Sequence, residues 1–419
     1  MYQENPRNLR IMNKKGKIFV WSLFDFANTS FSIVVVTLIF AVYFKKTITN
    51  GQAIGDLYWS LGTSISMIIT GIISPVLGAA ADYATGKKRF LLFFTLLCIV
   101  STALLYFTGP GTIFYAIVIF IIANVGFEAG LVFYDAFLPE ITTPKNFGRV
   151  SGYGFGMGYL GSLVTLAIAY PFIKGGYIKE TFVLSALFFL VFALPLFIYL
   201  KEKPKKPVTK ESYVVIGAKR VLTTIRNLKH YKNLAWFLLA YFFYIEGVNT
   251  VIFFSGNYAS TTIGFSETEL LLFFITVQTT AILGSVLFGI FSDSIGQKKS
   301  ILISLILWLV MVVMAFYVKE KNNFYFVGLL AGSVMGATQS TSRSLMSKLT
   351  PPDKKTEFFG FYSFFGKSSA VLGPLVFGLI SYATNNQRIA ILSIAIFFII
   401  GFLILLKVIE PKTIIEEIS

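Results

Sequence analysis

The sequence holds very little of what builds a soluble catalytic site. Its 419 residues include one cysteine, Cys98, and one histidine, His230. A single cysteine cannot close an intramolecular disulfide. One Cys and one His cannot supply a zinc site or a histidine proton relay. His230 lies in a basic loop, so a Ser/His nucleophile pair has no base, and there is no nucleophile elbow. Charge is scarce as well. Asp, Glu, Lys and Arg make up 13% of the chain, too little to cover a soluble protein of this length. Together these shortages argue against an enzyme, and no metal or cofactor is expected.

In their place stands apolar sequence. The chain is 55% hydrophobic with a mean hydropathy of +0.74. Runs of about 20 apolar residues recur, each long enough to cross a bilayer as a helix. They are continuous rather than alternating, which argues against strands. The expected spans are 18–44, 56–81, 90–108, 112–138, 150–173, 181–200, 234–258, 268–291, 300–317, 323–349, 357–384 and 388–408. The first run is long and lacks a small-residue cleavage site, so it reads as a membrane span rather than a signal peptide.

The net charge of +16 would suit nucleic-acid binding in a soluble chain, but these charges lie between the apolar runs. Of 36 Lys and Arg residues, 27 fall in the two tails and the even-to-odd loops and 7 in the opposite loops. That split predicts both termini in the cytoplasm of a multi-pass cell-membrane protein, with lipids and not nucleic acid as its surroundings. The longest loop, 201–233, opens Lys-Glu-Lys-Pro-Lys-Lys-Pro and holds ten Lys or Arg residues. It separates 1–200 from 234–419 as a cytoplasmic linker. Its part from Ile216 to Tyr231 reads either as an amphipathic helix on the anionic leaflet or as a solvated connector.

The halves repeat. A shift of 212 residues lays Phe147–Val164 on Phe359–Val376 with eight identities in eighteen positions. Parallel six-helix halves joined by a long loop are a transporter architecture, with the site at the repeat interface. A second repeat precedes spans 3 and 9. The later copy, with Gly289, Asp293, Gly296, Lys298 and Lys299, fits the loop signature G-x-x-x-D-x-x-G-x-K/R-K/R and so resembles the major facilitator superfamily. The earlier copy has Gly78, Asp82, Lys87, Lys88 and Arg89, but Asp82 stands four residues rather than three before Gly86. These residues are assigned to gating and packing. The fold expected is all-α, with twelve transmembrane helices in two parallel halves.

Three stretches are similar to one branch of that superfamily, the vacuole-effluxer family of autophagy-related amino-acid effluxers and their bacterial relatives. They are Phe24-Asp25-Phe26-Ala27-Asn28-Thr29-Ser30-Phe31, then Gln339-Ser340-Thr341-Ser342-Arg343-Ser344-Leu345 with Glu357-Phe358-Phe359-Gly360, and Gly366-Lys367 with Leu372-Gly373-Pro374. The resemblance implies transport of a small solute, and a monomer is expected. Its fungal members suggest amino acids. The compact chain looks like a bacterial-type member.

Ionisable residues at membrane depth are functional candidates by default, because each is costly there. Spans 1, 4, 7 and 10 are expected to line the cavity. They carry Asp25, Glu128 with Asp135, Glu246 and Arg343, and span 11 carries Lys367. Asn28 shares a face with Asp25, and Asn249 with Glu246, at a spacing of three. Counting about 1.5 Å per residue, Asp25 and Arg343 lie about 10 Å deep and Lys367, Glu128 and Glu246 about 15 to 20 Å deep. Glu128 and Asp25 are the proton-coupling candidates, since a carboxylate in such a cavity suits proton pickup and release. Arg343 and Lys367 would hold an anionic substrate group. Asn249, Gln278 and Gln339 complete the polar contacts. A fixed Asp25–Arg343 salt bridge, and a Lys367 merely neutralised by a carboxylate, stay open as structural alternatives. Asp135 and Glu140, near the cytoplasmic end, are expected in gating or exposed. Tyr134, Tyr153 and Tyr244 are further cavity candidates.

The leading expectation is a proton-coupled efflux carrier for an amino acid or similar carboxylate. An exporter or flippase of amphiphiles is the alternative within transport, and a non-transporting receptor the alternative outside it.

Overall fold

The computed structural model describes residues 12–52, 54–202, 212–369 and 372–411. The basic opening of the linker at 203–207, residues Ala370 and Val371 of the repeat, and both chain ends lie outside them. The described residues are mostly helical, with no strand among them. Eleven helical segments are long and apolar enough to cross a membrane: Lys14–Ile48, Ile54–Tyr83, Lys87–Phe107, Ile113–Ile141, Pro144–Lys174, Glu180–Tyr199, Leu228–Thr261, Glu267–Ile295, Gln297–Tyr317, Lys355–Thr384 and Gln387–Leu406. The twelfth, span 10, is the helix Lys321–Leu349, 29 residues long. It has the length but not the hydropathy, because its hydroxyl-rich stretch Thr338–Ser344 and Arg343 face protein rather than lipid. Together they form the twelve-helix, two-half arrangement expected.

Lipid tails are as apolar as leucine, so helices in a membrane associate through close packing rather than through a hydrophobic drive. The two halves meet along span 5 against span 8 and span 2 against span 11, which are exchanged mates of the repeat. Glycine permits both approaches. A Cβ on Gly289 of span 8 would stand 2.6 Å from the carbonyl oxygen of Gly148 in span 5. Gly78 of span 2 lies against the backbone of Thr356 at the start of span 11.

The loop signatures act at this same end of the bundle, the end with the basic loops. Asp82 accepts hydrogen bonds from the Thr356 hydroxyl (2.8 Å) and the Glu357 N–H (2.8 Å). Asp293 accepts from the N–H groups of Gly148 (2.8 Å) and Arg149 (3.1 Å) and from the Arg149 side chain (3.0 Å). Each aspartate thus satisfies free N–H groups at the start of a helix in the other half, where a negative charge also suits the helix dipole. The extra residue in the first copy does not spoil this. The segment Ala81–Thr85 is a π-turn, with the Gly86 N–H bonded to the Ala81 carbonyl, whereas the Gly296 N–H bonds the nearer Ser292 carbonyl. One inserted residue is absorbed as one wider turn. Both glycines have positive φ, 81° and 99°, which turns the chain into spans 3 and 9.

A second matched pair braces these turns. Glu202 accepts from the N–H groups of Lys87 (2.9 Å) and Lys88 (3.0 Å), and Glu410 from those of Gln297 (3.1 Å) and Lys298 (2.8 Å). Lys88 and Lys298 donate to the carbonyls of Leu200 and Leu406, ending spans 6 and 12. Lys87 is buried against Glu140, while Arg89 and Lys299 are exposed. Within the linker, Tyr213–Arg226 is a helix. It packs on span 2 through Gly217 against Val76, and Thr224 bonds the fully buried Glu357. It therefore has a protein partner as well as an apolar face exposed at Tyr213, Val214 and Leu222.

Candidate functional site

A cavity of about 360 Å³ lies between the halves. Its polar lining comes from Glu128 and Asp135 of span 4, Asn249 of span 7, Gln339 and Arg343 of span 10, and Ser363 and Lys367 of span 11. Its apolar walls include Met67, Phe155, Ile245 and the stacked rings of Tyr241 and Tyr362, whose centroids are 4.1 Å apart.

Arg343 sits on the side of the cavity toward the basic loops and is 2% exposed. Its guanidinium is engaged on three sides by the other half. Nε donates to the Ser151 hydroxyl (3.0 Å), and one terminal nitrogen to the Ser151 carbonyl (2.9 Å). The other terminal nitrogen donates to Asp25 (3.1 Å) and Asp135 (2.9 Å). The rings of Phe155 and Trp21 flank the plane at 4.1 and 4.7 Å. Only a planar fork with several donors can serve spans 1, 4 and 5 at once. Asn28 supports Asp25 by donating to it at 3.3 Å.

Lys367 makes an ion pair with Glu128, again across the two halves. The Lys367 side chain is 25% exposed and the Glu128 side chain 8%, so the pair borders the cavity rather than lying in solid packing. Tyr159 of span 5 donates to Gln339 of span 10 at 2.6 Å, a third cross-half link beside the cavity. Three carboxylates, Asp25, Glu128 and Asp135, therefore face two cations, Arg343 and Lys367. With every group ionised the cluster is one negative charge in excess, and one proton balances it.

The expected residues divide into those at the cavity and those behind it. Lys367, Glu128, Arg343, Asn249 and Gln339 line it. Asp25 and Asn28 stand behind Arg343 and reach the cavity only through it. Glu246 is fully buried and accepts the Gly373 N–H, which ties span 7 to the second helix of span 11, Leu372–Thr384. Gln278 is buried in span 8, away from the lining. Asp135 is closer to the centre than its position toward a helix end implied: the chain bends at Ala136–Phe137 and the Asp135 carboxylate reaches Arg343. Tyr134 and Tyr244 serve packing. Tyr134 stacks on Trp21 and bonds its backbone, and Tyr244 bonds Ser342. Tyr153 is exposed. The cavity tyrosines are instead Tyr241 and Tyr362. Tyr241, Ile245 and Asn249 stand at steps of four on one helical face and all line the cavity, so the spacing from Asn249 could have flagged Tyr241. Tyr362 lies five residues before Lys367 and carried no such signal.

The comparisons with known proteins agree with this architecture. The family model described as "Vacuole effluxer Atg22 like" matches residues 58–417. The MFS-type transporter YxiO of Bacillus subtilis is 31% identical over 408 residues, covering 94% of this chain and 95% of its own. Autophagy-related protein 22 of Coccidioides immitis is 22% identical over 440 residues, covering 85% of this chain and 73% of its own. Among solved structures, the human organic anion transporter MFSD10 superposes with a TM-score of 0.75 at 14% identity, covering 94% of this chain and 100% of its own. At that identity the likeness speaks for the fold alone.

Proposed function

This chain belongs to the Atg22-like vacuole-effluxer family of major facilitator transporters, and we propose that it exports an amino acid or a similar carboxylate-bearing solute in exchange for protons. Transport by a multi-pass membrane protein is the family's work, and enzymatic chemistry is not. The solute, the coupling and the direction are our reading. So are the division at 201–233 into halves 1–200 and 234–419, the monomeric state, and the cell-membrane setting with both termini cytoplasmic.

One observation supports the solute most directly. The Lys367–Glu128 pair offers a cation and a carboxylate from opposite halves at the wall of one cavity. A zwitterion can replace that single pair by two: its carboxylate on Lys367 and its ammonium on Glu128. The exchange keeps the local charge balanced, so neither protein charge is left bare in a low-dielectric site. It also removes a direct link between the halves, which connects occupancy to rocking. The apolar walls then accommodate the rest of the solute.

Coupling follows from the excess carboxylate. Asp25 and Asp135 share one guanidinium nitrogen, and only Asp135 lines the cavity. Of the two carboxylates on Arg343, Asp135 is therefore the one we take to receive a proton from the cavity, with Asp25 the fixed partner of Arg343. With the basic loops in the cytoplasm, the Asp82 and Asp293 links close the cytoplasmic end, and the cavity belongs to the outward-facing half of the cycle. Proteoliposomes test the reading. Net accumulation of an amino acid should require an imposed proton gradient, and Lys367→Ala should abolish the flux while the protein stays folded. Flux that ignores the gradient, or no flux of any zwitterion, refutes it.

A further inference from the structure

We infer that the junction between the linker helix and span 7 binds an anionic phospholipid of the leaflet on the basic-loop side. Two hollows meet there with Lys229 as their common wall. One, of about 420 Å³, is lined by Arg226, Asn227, His230 and Tyr231. The other, of about 660 Å³, is lined by Leu228, Lys232, Ala235, Trp236 and Leu239. The first is polar and basic, and the second is an apolar trough running down a helix.

Local geometry explains the pairing. The short turn Leu228–Tyr231 redirects the chain from the linker helix into span 7 and leaves Leu228, Lys229 and His230 exposed. Lys232, Trp236 and Leu239 then fall on one helical face, at steps of four and three. Trp236 lies about 6 Å and Leu239 about 10 Å below Lys232 along the axis. Lys407, at the end of span 12, stands over the Trp236 ring at 4.5 Å and adds a cation at the rim. Trp at this level suits the membrane interface.

Charge complementarity identifies the occupant. Among the described residues, no acidic side chain pairs with Arg226, Lys229, Lys232 or Lys407. The nearby carboxylates are already engaged, Glu410 by Lys348 at 2.7 Å and Glu357 by Thr224. A soluble anion would satisfy the cations but leave the trough bare. A zwitterionic lipid would fill the trough but leave the cations uncompensated. A phospholipid with a net negative headgroup does both.

The experiment uses the purified full-length chain and native mass spectrometry of its adducts with phosphatidylglycerol and phosphatidylcholine, with inorganic phosphate as a third probe. Wild type should retain phosphatidylglycerol over phosphatidylcholine. At about fivefold per basic residue, Lys229→Gln with Lys232→Gln should weaken the anionic lipid roughly 30-fold and leave phosphatidylcholine unchanged. Trp236→Ala should weaken both lipids. The two lysines are exposed, so these variants test charge rather than folding, and an unchanged thermal midpoint checks that. Equal retention of both lipids by wild type, or full phosphatidylglycerol preference in the double variant, overturns the inference. So does inorganic phosphate that displaces phosphatidylglycerol while Trp236→Ala has no effect, which would make this an anion site and not a lipid site.

Discussion

Replacing Arg343 by alanine should open the basic-loop end of the molecule. The guanidinium makes four hydrogen bonds, all to the other half, and two of them go to carboxylates. Summing bonds to charged groups at about 1.5 to 3 kcal/mol each would overstate the effect, since water recovers part of every one. The better measure is the cost of removing one partner from a buried ion pair, about 3 to 5 kcal/mol. The Asp135 side chain is 17% exposed toward the cavity and can draw on water there, which favours the lower end. We take both carboxylates to be solvated when the halves part, so the loss falls on the closed state. A loss of about 3 kcal/mol shifts the closed-to-open ratio by roughly 100-fold. Cysteine labelling can read that shift cleanly, because the single native cysteine, Cys98, is fully buried. Ser292 is also fully buried, close to Gly148 in the span 5 contact, so Ser292→Cys should label slowly with a membrane-impermeant thiol reagent. Adding Arg343→Ala should raise the labelling rate by about two orders of magnitude, and Arg343→Lys by less, since it keeps the charge and loses the fork. An unchanged rate in Arg343→Ala would refute the view of this residue as a lock between the halves.

Four further substitutions probe separate parts of the same machine. Asp82→Asn and Asp293→Asn each weaken charge-assisted bonds to a helix start and should each cost the closed state about 1 to 2 kcal/mol. The two sites share no partner, so the double variant should show the product of the two labelling increases; a double no faster than either single would mean that one latch suffices. Asp135→Asn should leave solute exchange between equal pools intact while removing its response to a proton gradient, and a full response to the gradient would return the coupling role to Asp25 or Glu128. Gly289→Ala places a methyl group 2.6 Å from the Gly148 carbonyl oxygen, so it should prevent closure and stop net flux with little change in the thermal midpoint of the detergent-purified protein. Wild-type flux in that variant would mean that spans 5 and 8 need not touch.

What the sequence revealed, and what it hid, follows from the range of each signal. Span lengths and the loop signatures depend on neighbours within a few turns, and the duplication is one constant shift along the chain, so all three read directly. The intramembrane charges were equally plain, because a Lys or Asp in apolar sequence stands out. Their pairings were legible only as alternatives, an Asp25–Arg343 bridge and an unnamed carboxylate for Lys367, since each joins residues over a hundred positions apart; the structure forms the first and names Glu128 in the second. Asp135 was underrated for a related reason. Depth counted along a straight helix places it near an end, but its carboxylate reaches Arg343 and the cavity lining. The first loop signature departs from the second by one residue between Asp82 and its glycine. A π-turn absorbs it, and no spacing rule for α-helices anticipates that.

The duplication gains meaning from where the charges break it. Under the 212-residue shift, Glu128 corresponds to Ser340, Asp135 to Ser347, Leu131 to Arg343 and Phe155 to Lys367. The carboxylates of the central cluster all come from the first half and its cations from the second. Structural duplicates would place like charges opposite like, and a frame that kept them would repel itself at its own interface. Divergence has instead made the two inner faces complementary, so the central ion pairs cross between halves and none is internal to one. Even the uncharged equivalent of Lys367 takes part, since the Phe155 ring lies 4.1 Å from the Arg343 guanidinium. Such a seam is strong when closed and solvated when open, and its strength depends on what else offers charge within the cavity. A solute carrying both signs, or a proton that cancels the surplus carboxylate, acts directly on the free energy that separates the two states. Under the proposed function, the charges that meet the solute are the same ones that hold the halves together, which is the physical requirement for binding to drive movement.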